Sequence, residues 1–155
     1  MANLIPGDKA KGFSKTVELK VAMDDAIEGY EKMLEKVEAS FQPTVSGLLL
    51  HHRAARDDLD ALLQTRGVAV DDDGSVMGVV HKTVVALRSL VDDVDEDFIP
   101  GIVDGETRNL KKYEDAIEEN VADAALRSAL EKQRLMLERL VHAIEVEKPS
   151  RRALG

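Results

Sequence analysis

The chain has 155 residues, 44% hydrophobic and 33% charged, and this size and composition are typical of one soluble helical domain. It contains no cysteine, which excludes disulfides, thiolate metal sites and a cysteine nucleophile. The formal net charge of −9 argues against nucleic-acid binding, because that affinity comes largely from cationic contacts to phosphate.

Taken in chain order, five segments place apolar residues at the helical spacing of three and four, and no segment has the alternation of a strand. Gly67 follows the second segment as a helix-ending glycine, and Pro149 is expected to end the fifth. Four long helices and one short one predict an all-α, up-down four-helix bundle with the short helix in its central connection. The predicted helices cover residues 14–40, 42–66, 75–94, 97–121 and 123–147.

The same pattern predicts a flexible amino-terminal segment over residues 1–13, the bundle over 14–147, and a loose basic tail over 148–155. The first and fourth predicted helices also resemble each other weakly, with "GYEKMLEKV" beside "KYEDAIEEN". Tyr30 and Tyr113 occupy matching places in these stretches. The match hints at two similar helical hairpins packed together.

Nothing in the sequence predicts a membrane segment. No apolar run approaches the ~20 residues that a spanning helix needs. The opening stretch "MANLIPGDKAKGFSK" lacks the apolar core and cleavage site of a secretory signal. We therefore expect a cytoplasmic protein that does not associate with membranes.

One carboxylate interrupts an apolar stripe. In the fourth predicted helix, Glu106 falls near the middle of the face that should point into the bundle. An unpaired buried charge is costly, so Glu106 needs a partner there. The other members of this face are Ile99, Ile102, Val103, Leu110, Tyr113, Ile117 and Val121.

Three stretches, "IEGYEKMLE", "GSVMGVVHK" and "GETRNLKKYEDAI", carry a resemblance that extends over most of the predicted bundle. On these motifs the sequence resembles a bacterial ferritin-like family of unknown function, whose members are small, stress-associated helical bundles. The resemblance implies a ferritin-like fold and a stress-related role, and it implies no particular activity. That family usually has a tryptophan a few residues beyond the histidine that corresponds to His81, and this chain has no tryptophan. The residues that fit the pattern are Gly29, Tyr30, Gly74, Ser75, Gly78, His81, Gly105, Glu106 and Tyr113.

A ferritin-type di-iron centre needs a glutamate from each of two helices and a Glu-x-x-His motif from each of the other two, all pointing inward. In the fifth predicted helix, Glu138 and His142 are four residues apart and lie opposite the apolar stripe. The second helix offers His52 near the centre of its stripe and His51 on the flank. Glu106 is the only inward carboxylate, so the ligand count argues against a di-iron centre.

Two interpretations of Glu106 remain open. It could join His52 and His81 as ligands of a single zinc, manganese or iron ion, with water completing the shell. It could instead be a buried acid hydrogen-bonded to a histidine, Tyr30 or Tyr113, in a network that fixes the register of the helices. We favour the structural interpretation, and Asn109 and Gln133, near the edge of the core, could complete that network.

No glycine-rich phosphate loop and no serine-centred nucleophile motif occurs in the chain. We therefore predict a non-enzymatic bundle protein with no cofactor, and a metal-binding or ferroxidase-type protein as the alternative. Met77 and Val85, on a second side of the third predicted helix, suggest a homodimer through an exposed apolar face.

Overall fold

The computed structural model describes residues 12–68 and 98–154, with side chains described as far as residue 146. These two stretches contain four α-helices and no strand, so the all-α prediction is confirmed for them. The predicted short helix over 75–94, with Met77, Gly78, His81 and Val85, lies outside the described residues. The helices are α1 (Ser14–Leu34), α2 (Gln42–Thr65), α3 (Phe98–Glu119) and α4 (Ala124–Leu154), with a 3₁₀ turn at Ala39–Phe41 before α2.

Gly67 follows the end of α2, as the sequence predicted. Gly67 adopts φ 78°, a left-handed conformation that costs glycine little. Its N–H donates to Gln64 and the N–H of Val68 donates to Leu63, each at 3.0 Å, which satisfies carbonyls at the helix end. Val68 then turns into the core, where it is buried.

Three predicted details of the helix ends are wrong. The first helix ends at Leu34 rather than at residue 40, because the chain needs the residues in between to reverse direction before α2 begins. Pro43 lies in the first turn of α2, where proline favours the start of a helix. Val121 follows the end of α3 and is 57% exposed, so it does not belong to the buried face. The last helix passes through Pro149 to Leu154, because a proline removes one hydrogen bond and kinks a helix without having to end it.

The four helices form a bundle in which neighbours are antiparallel. α1 packs against α2 and α3, and α4 packs against α3 and α2, so α2 and α3 face each other across the diagonal. At one end Phe41 meets Phe98 edge to face, with ring centroids 5.0 Å apart. At the other end Arg66 pairs with Asp123. Since α2 and α3 therefore run in the same direction, the four helices run up, down, down and up, and the predicted up-down alternation is wrong between the second and third of them.

The predicted likeness of the two hairpins is supported by matching ion pairs. In the first hairpin Arg53 Nη2 of α2 lies 2.8 Å from Glu31 of α1. In the second, Arg134 Nη2 of α4 lies 3.1 Å from Glu114 of α3. Each glutamate directly follows the tyrosine that the sequence comparison aligned. The core between the hairpins is mainly aliphatic.

Candidate functional site

The sequence brings two polar side chains to the same point from opposite corners of the bundle. His52 belongs to the buried stripe of α2 and Glu106 to that of α3. Both side chains are 1% exposed. The prediction that Glu106 points inward is confirmed, and His52 is the histidine of α2 that reaches it.

Glu106 has a protein partner at each carboxylate oxygen. His52 Nε2 lies 2.7 Å from Oε2, and Asn109 Nδ2 donates to Oε1 at 2.6 Å. Asn109 is one helical turn from Glu106 on the same helix, so α3 supplies both acceptor and donor of this bond. Paired in this way, the acid avoids much of the penalty of an unsatisfied buried group.

Tyr30 of α1 covers the same pair. Its ring is nearly parallel to that of His52, with an interplanar angle of 19° and a centroid separation of 6.0 Å. Burial, then the charge of Glu106 and a hydrogen bond to it, raise the pKa of Tyr30 well above its ordinary value. The phenol therefore stays protonated and serves as a hydrogen-bond group. We predicted a histidine or a tyrosine as the partner of Glu106, and both are present.

Tyr113 and Gln133 form a second part of this central network. The Tyr113 hydroxyl donates to Gln133 Oε1 at 3.2 Å, and Gln133 Nε2 donates to the Ala55 carbonyl at 3.3 Å. Burial, and to a lesser degree the charge of Glu106, raise the pKa of Tyr113. Gln133 thus completes a network as predicted, but its bonds go to Tyr113 and to α2 rather than to Glu106. With this contact, all four helices contribute to the polar centre.

His51 belongs to the site more closely than the sequence indicated. Its ring lies edge to face with that of His52, at a centroid distance of 5.3 Å. Burial chiefly, and the neighbouring His52 next, lower the pKa of His51 to about 4, against a smaller opposing effect of Glu106. Helical spacing placed His51 on the flank of α2, so its proximity to His52 was available from adjacency alone. The lowering of its pKa was not, because burial depends on the fold.

The other predicted site residues are placed as follows. Gly105 lies on α3 one residue before Glu106, and a Cβ there would meet Arg108 no closer than 3.9 Å. It therefore does not mark a close helix approach. Glu138 and His142 are exposed on α4, as predicted. His81 and Gly78 fall outside the described residues. In those that are described, no group of three or more His, Asp or Glu side chains is placed to hold a metal ion.

A second buried charge was missed from the sequence. Lys20 of α1 is completely buried, and its Nζ lies 3.0 Å from Asp24 and 3.0 Å from Asp60 of α2. Burial raises the pKa of Asp60, and the hydrogen bond and charge of Lys20 oppose that effect. Asp24 and Asp60 each keep 16% of their side-chain surface exposed. Lys20 and Asp24, four apart in sequence, fit an ordinary surface pair, so the sequence held no sign of this burial.

Carboxylates also fasten the bundle end at which α1 and α4 begin. Glu119 accepts from the hydroxyl of Ser14 at 2.9 Å and from backbone N–H groups of Lys15 and Thr16 at 3.0 to 3.3 Å. It therefore caps α1 from a different helix. Asp123 accepts from Arg66 Nε at 2.5 Å and Nη2 at 2.6 Å, and from the backbone N–H of Leu126 at 3.2 Å. We call Glu119, Asp123 and their donors the end clasps.

Helices that meet around a buried histidine–carboxylate pair define a helical-bundle protein with a polar centre. Among the described helices none is long and apolar enough to cross a membrane. A family described as a domain of unknown function (DUF2383) matches residues 17–119, more than half of the chain, and the chain belongs to that family. No curated protein and no solved structure matches the chain. The match spans α1 to α3 and ends at Glu119.

Proposed function

We propose that this chain is a non-enzymatic, ferritin-like bundle protein in which the Glu106 cluster holds the helices in register. The observation that carries the proposal is that both carboxylate oxygens of Glu106 have a protein partner. His52 Nε2 lies 2.7 Å from one oxygen and Asn109 Nδ2 lies 2.6 Å from the other. A carboxylate whose oxygens both accept from protein groups in a buried site is arranged as a structural acceptor. Networks of this kind favour one packing arrangement over its alternatives.

The ferritin-like part of the proposal is supported by topology. α2 and α3 run in the same direction, which requires one long crossover between the hairpins. Ferritin-like bundles have one such crossover, whereas simple up-down bundles have short loops throughout.

The stress-related role rests on the sequence resemblance, and we propose a cytoplasmic location. A homodimer through Met77 and Val85 would appear in gel filtration with light scattering as twice the chain mass, and a monomer at high concentration would contradict it.

A second candidate function is metal binding at Glu106, His52 and His81, with iron, manganese or zinc as the ion. One observation favours it: His52 Nδ1 is buried and has no hydrogen-bond partner among the described residues. A ligand nitrogen would be expected in that state before metal arrives. The occupied oxygens of Glu106 favour the structural function over this one.

Elemental analysis of the full chain tests the proposal. The protein would be expressed in medium supplemented with iron and manganese, desalted without chelator, and measured by plasma mass spectrometry. We expect neither iron nor manganese at stoichiometric level, and Glu106→Gln to lower stability without changing metal content. About one equivalent of either metal in the wild type, lost in Glu106→Gln and in His81→Gln, would establish the second candidate instead.

A further inference from the structure

The outer side of the bundle formed by α2 and α4 has exposed apolar side chains on both helices. On α2, Leu50 is 64% exposed, and Ala54, one turn further, is exposed as well. On α4, Met136 is 49% exposed. The bond from Gln133 Nε2 to the Ala55 carbonyl sets the register of the two antiparallel helices, so Met136, three residues further along α4, is level with the stretch between Leu50 and Ala54. Exposed apolar side chains that lie together mark a surface for a partner.

Two opposite charges lie on the same side. Residues two apart on a helix are separated by about 200°, so they point in nearly opposite directions. On α2, Asp60 faces the buried lysine of α1, so Asp58 points away from α1. On α4, Arg134 faces a glutamate of α3, so Lys132 and Met136 point away from α3. Asp58 and Lys132 are both exposed, and neither forms an ion pair with a residue that the structure describes.

This side is therefore complementary to itself, with the acid on one helix and the base on the other. A two-fold axis parallel to the helices places α2 of each copy antiparallel to α4 of the other and keeps every residue at its own height. Lys132 is level with Arg56, which lies two residues, or ~3 Å along the helix, from Asp58. We propose that α2 and α4 form a homodimer interface in which Asp58 of each copy pairs with Lys132 of the other, beside an apolar contact of Leu50 and Met136.

Charge also selects this arrangement over the other two-fold arrangement. An axis perpendicular to the helices near Met136 would place α4 against α4 of the other copy. Lys132 of one copy would then lie within about one residue of the height of Arg139 of the other, and both are exposed bases. Like charges placed opposite each other across an interface oppose association. The parallel axis avoids this repulsion.

The size of this side suits a dimer. α2 has 24 residues and is therefore about 36 Å long. Two helices packed ~10 Å apart present a surface about 20 Å wide, so this side offers about 700 Å². A standard interface buries ~800 Å² on each partner. The inference deepens the proposed homodimer and rests on it only in requiring that the chain self-associates, because it places the interface on α2 and α4 rather than at Met77 and Val85.

Sedimentation equilibrium of the full chain over a range of concentrations tests the inference, with charge reversal at the two paired positions. In Asp58→Lys and in Lys132→Asp, both contacts between the copies become repulsive. We expect each variant alone to raise the Kd of the dimer by about 10-fold or more. An equimolar mixture of the two variants should form a heterodimer of nearly wild-type affinity, because each reversed residue then meets its opposite charge. Only a contact between copies can produce this rescue.

Glu118→Lys is the matched control, because it makes the same change of charge at an exposed position of α3. We expect it to dimerise as the wild type does, and Met136→Glu to be monomeric, with native helicity in every variant by circular dichroism. A mixture of the two reversed variants that stays as weak as its components would overturn the inference. A dimer kept in Met136→Glu and lost in Met77→Glu would overturn this interface alone, and a monomeric wild type at high concentration would overturn the homodimer as well.

Discussion

Carboxylates join helices at the centre of this bundle and at one of its ends, and the two regions differ in their access to water. At the centre, Glu106 and His52 are each 1% exposed. In the end clasps, the side chains of Arg66 and Asp123 are 20% and 30% exposed. Hydrogen-bond lengths are similar in both, so geometry alone does not rank them. The cost of losing a partner should differ, because water replaces a lost bond at the end and cannot do so at the centre.

The largest effect is expected from Glu106→Ala. This change leaves His52 and Asn109 without their acceptor inside the bundle, and breaking a buried pair typically costs about 3–5 kcal/mol. Urea denaturation would measure the free energy of unfolding. Glu114→Ala, which removes the exposed partner of Arg134, is the control, with a change within ~0.5 kcal/mol. Similar losses in the two variants would mean that burial does not distinguish them.

A smaller loss is expected from Lys20→Met, which keeps the length of the side chain and removes its charge. Asp24 and Asp60 then face each other without the buried ammonium group. Because both carboxylates keep some contact with water, we expect a loss of about 2 kcal/mol, below the cost of a fully buried pair. Thermal unfolding would measure it, with Lys32→Met as the exposed control. A more stable Lys20→Met protein would show that desolvation of Lys20 exceeds the attraction of its partners.

The end clasps should give the next smaller effect. Glu119→Gln keeps one acceptor oxygen and removes the charge that caps α1, and loss of a helix cap costs about 1 kcal/mol. Glu118→Gln, at the exposed neighbouring position, is the control. Hydrogen exchange at Lys15 and Thr16 would locate the effect. Faster exchange at these amides in Glu119→Gln only would support the cap, and equal exchange in both variants would contradict it.

These comparisons also show what the sequence could predict. Helical periodicity predicted that Glu106 and His52 point inward, because a stripe of apolar residues defines an inner face on each helix. It could not predict that Lys20 is buried, because a lysine four residues before an aspartate looks the same on a solvated face. The end of α1 was placed too late, and Pro149 was taken as a helix end, because both depend on how the chain turns or packs rather than on local composition. The cap by Glu119 joins residues 104 apart, a distance that no local pattern covers.

The smallest expected effect separates two carboxylates by the sign of their pH dependence. The hydrogen bond from Arg66 lowers the pKa of Asp123, against a smaller opposing effect of burial. Asp123 therefore stabilises the folded protein above the ordinary carboxyl pKa of about 3.9, and this contribution is lost as pH falls through the lowered value. Burial raises the pKa of Asp60 despite Lys20, so its contribution is fully present below the ordinary value and is lost as pH rises through the raised one. The stability advantage of the wild type over Asp123→Asn should therefore shrink on acidification, and that over Asp60→Asn should grow. Denaturation at several pH values between neutral and about pH 3 would measure both differences. If the two stability differences changed with pH in the same direction, the pKa values of Asp123 and Asp60 would not be shifted in opposite directions.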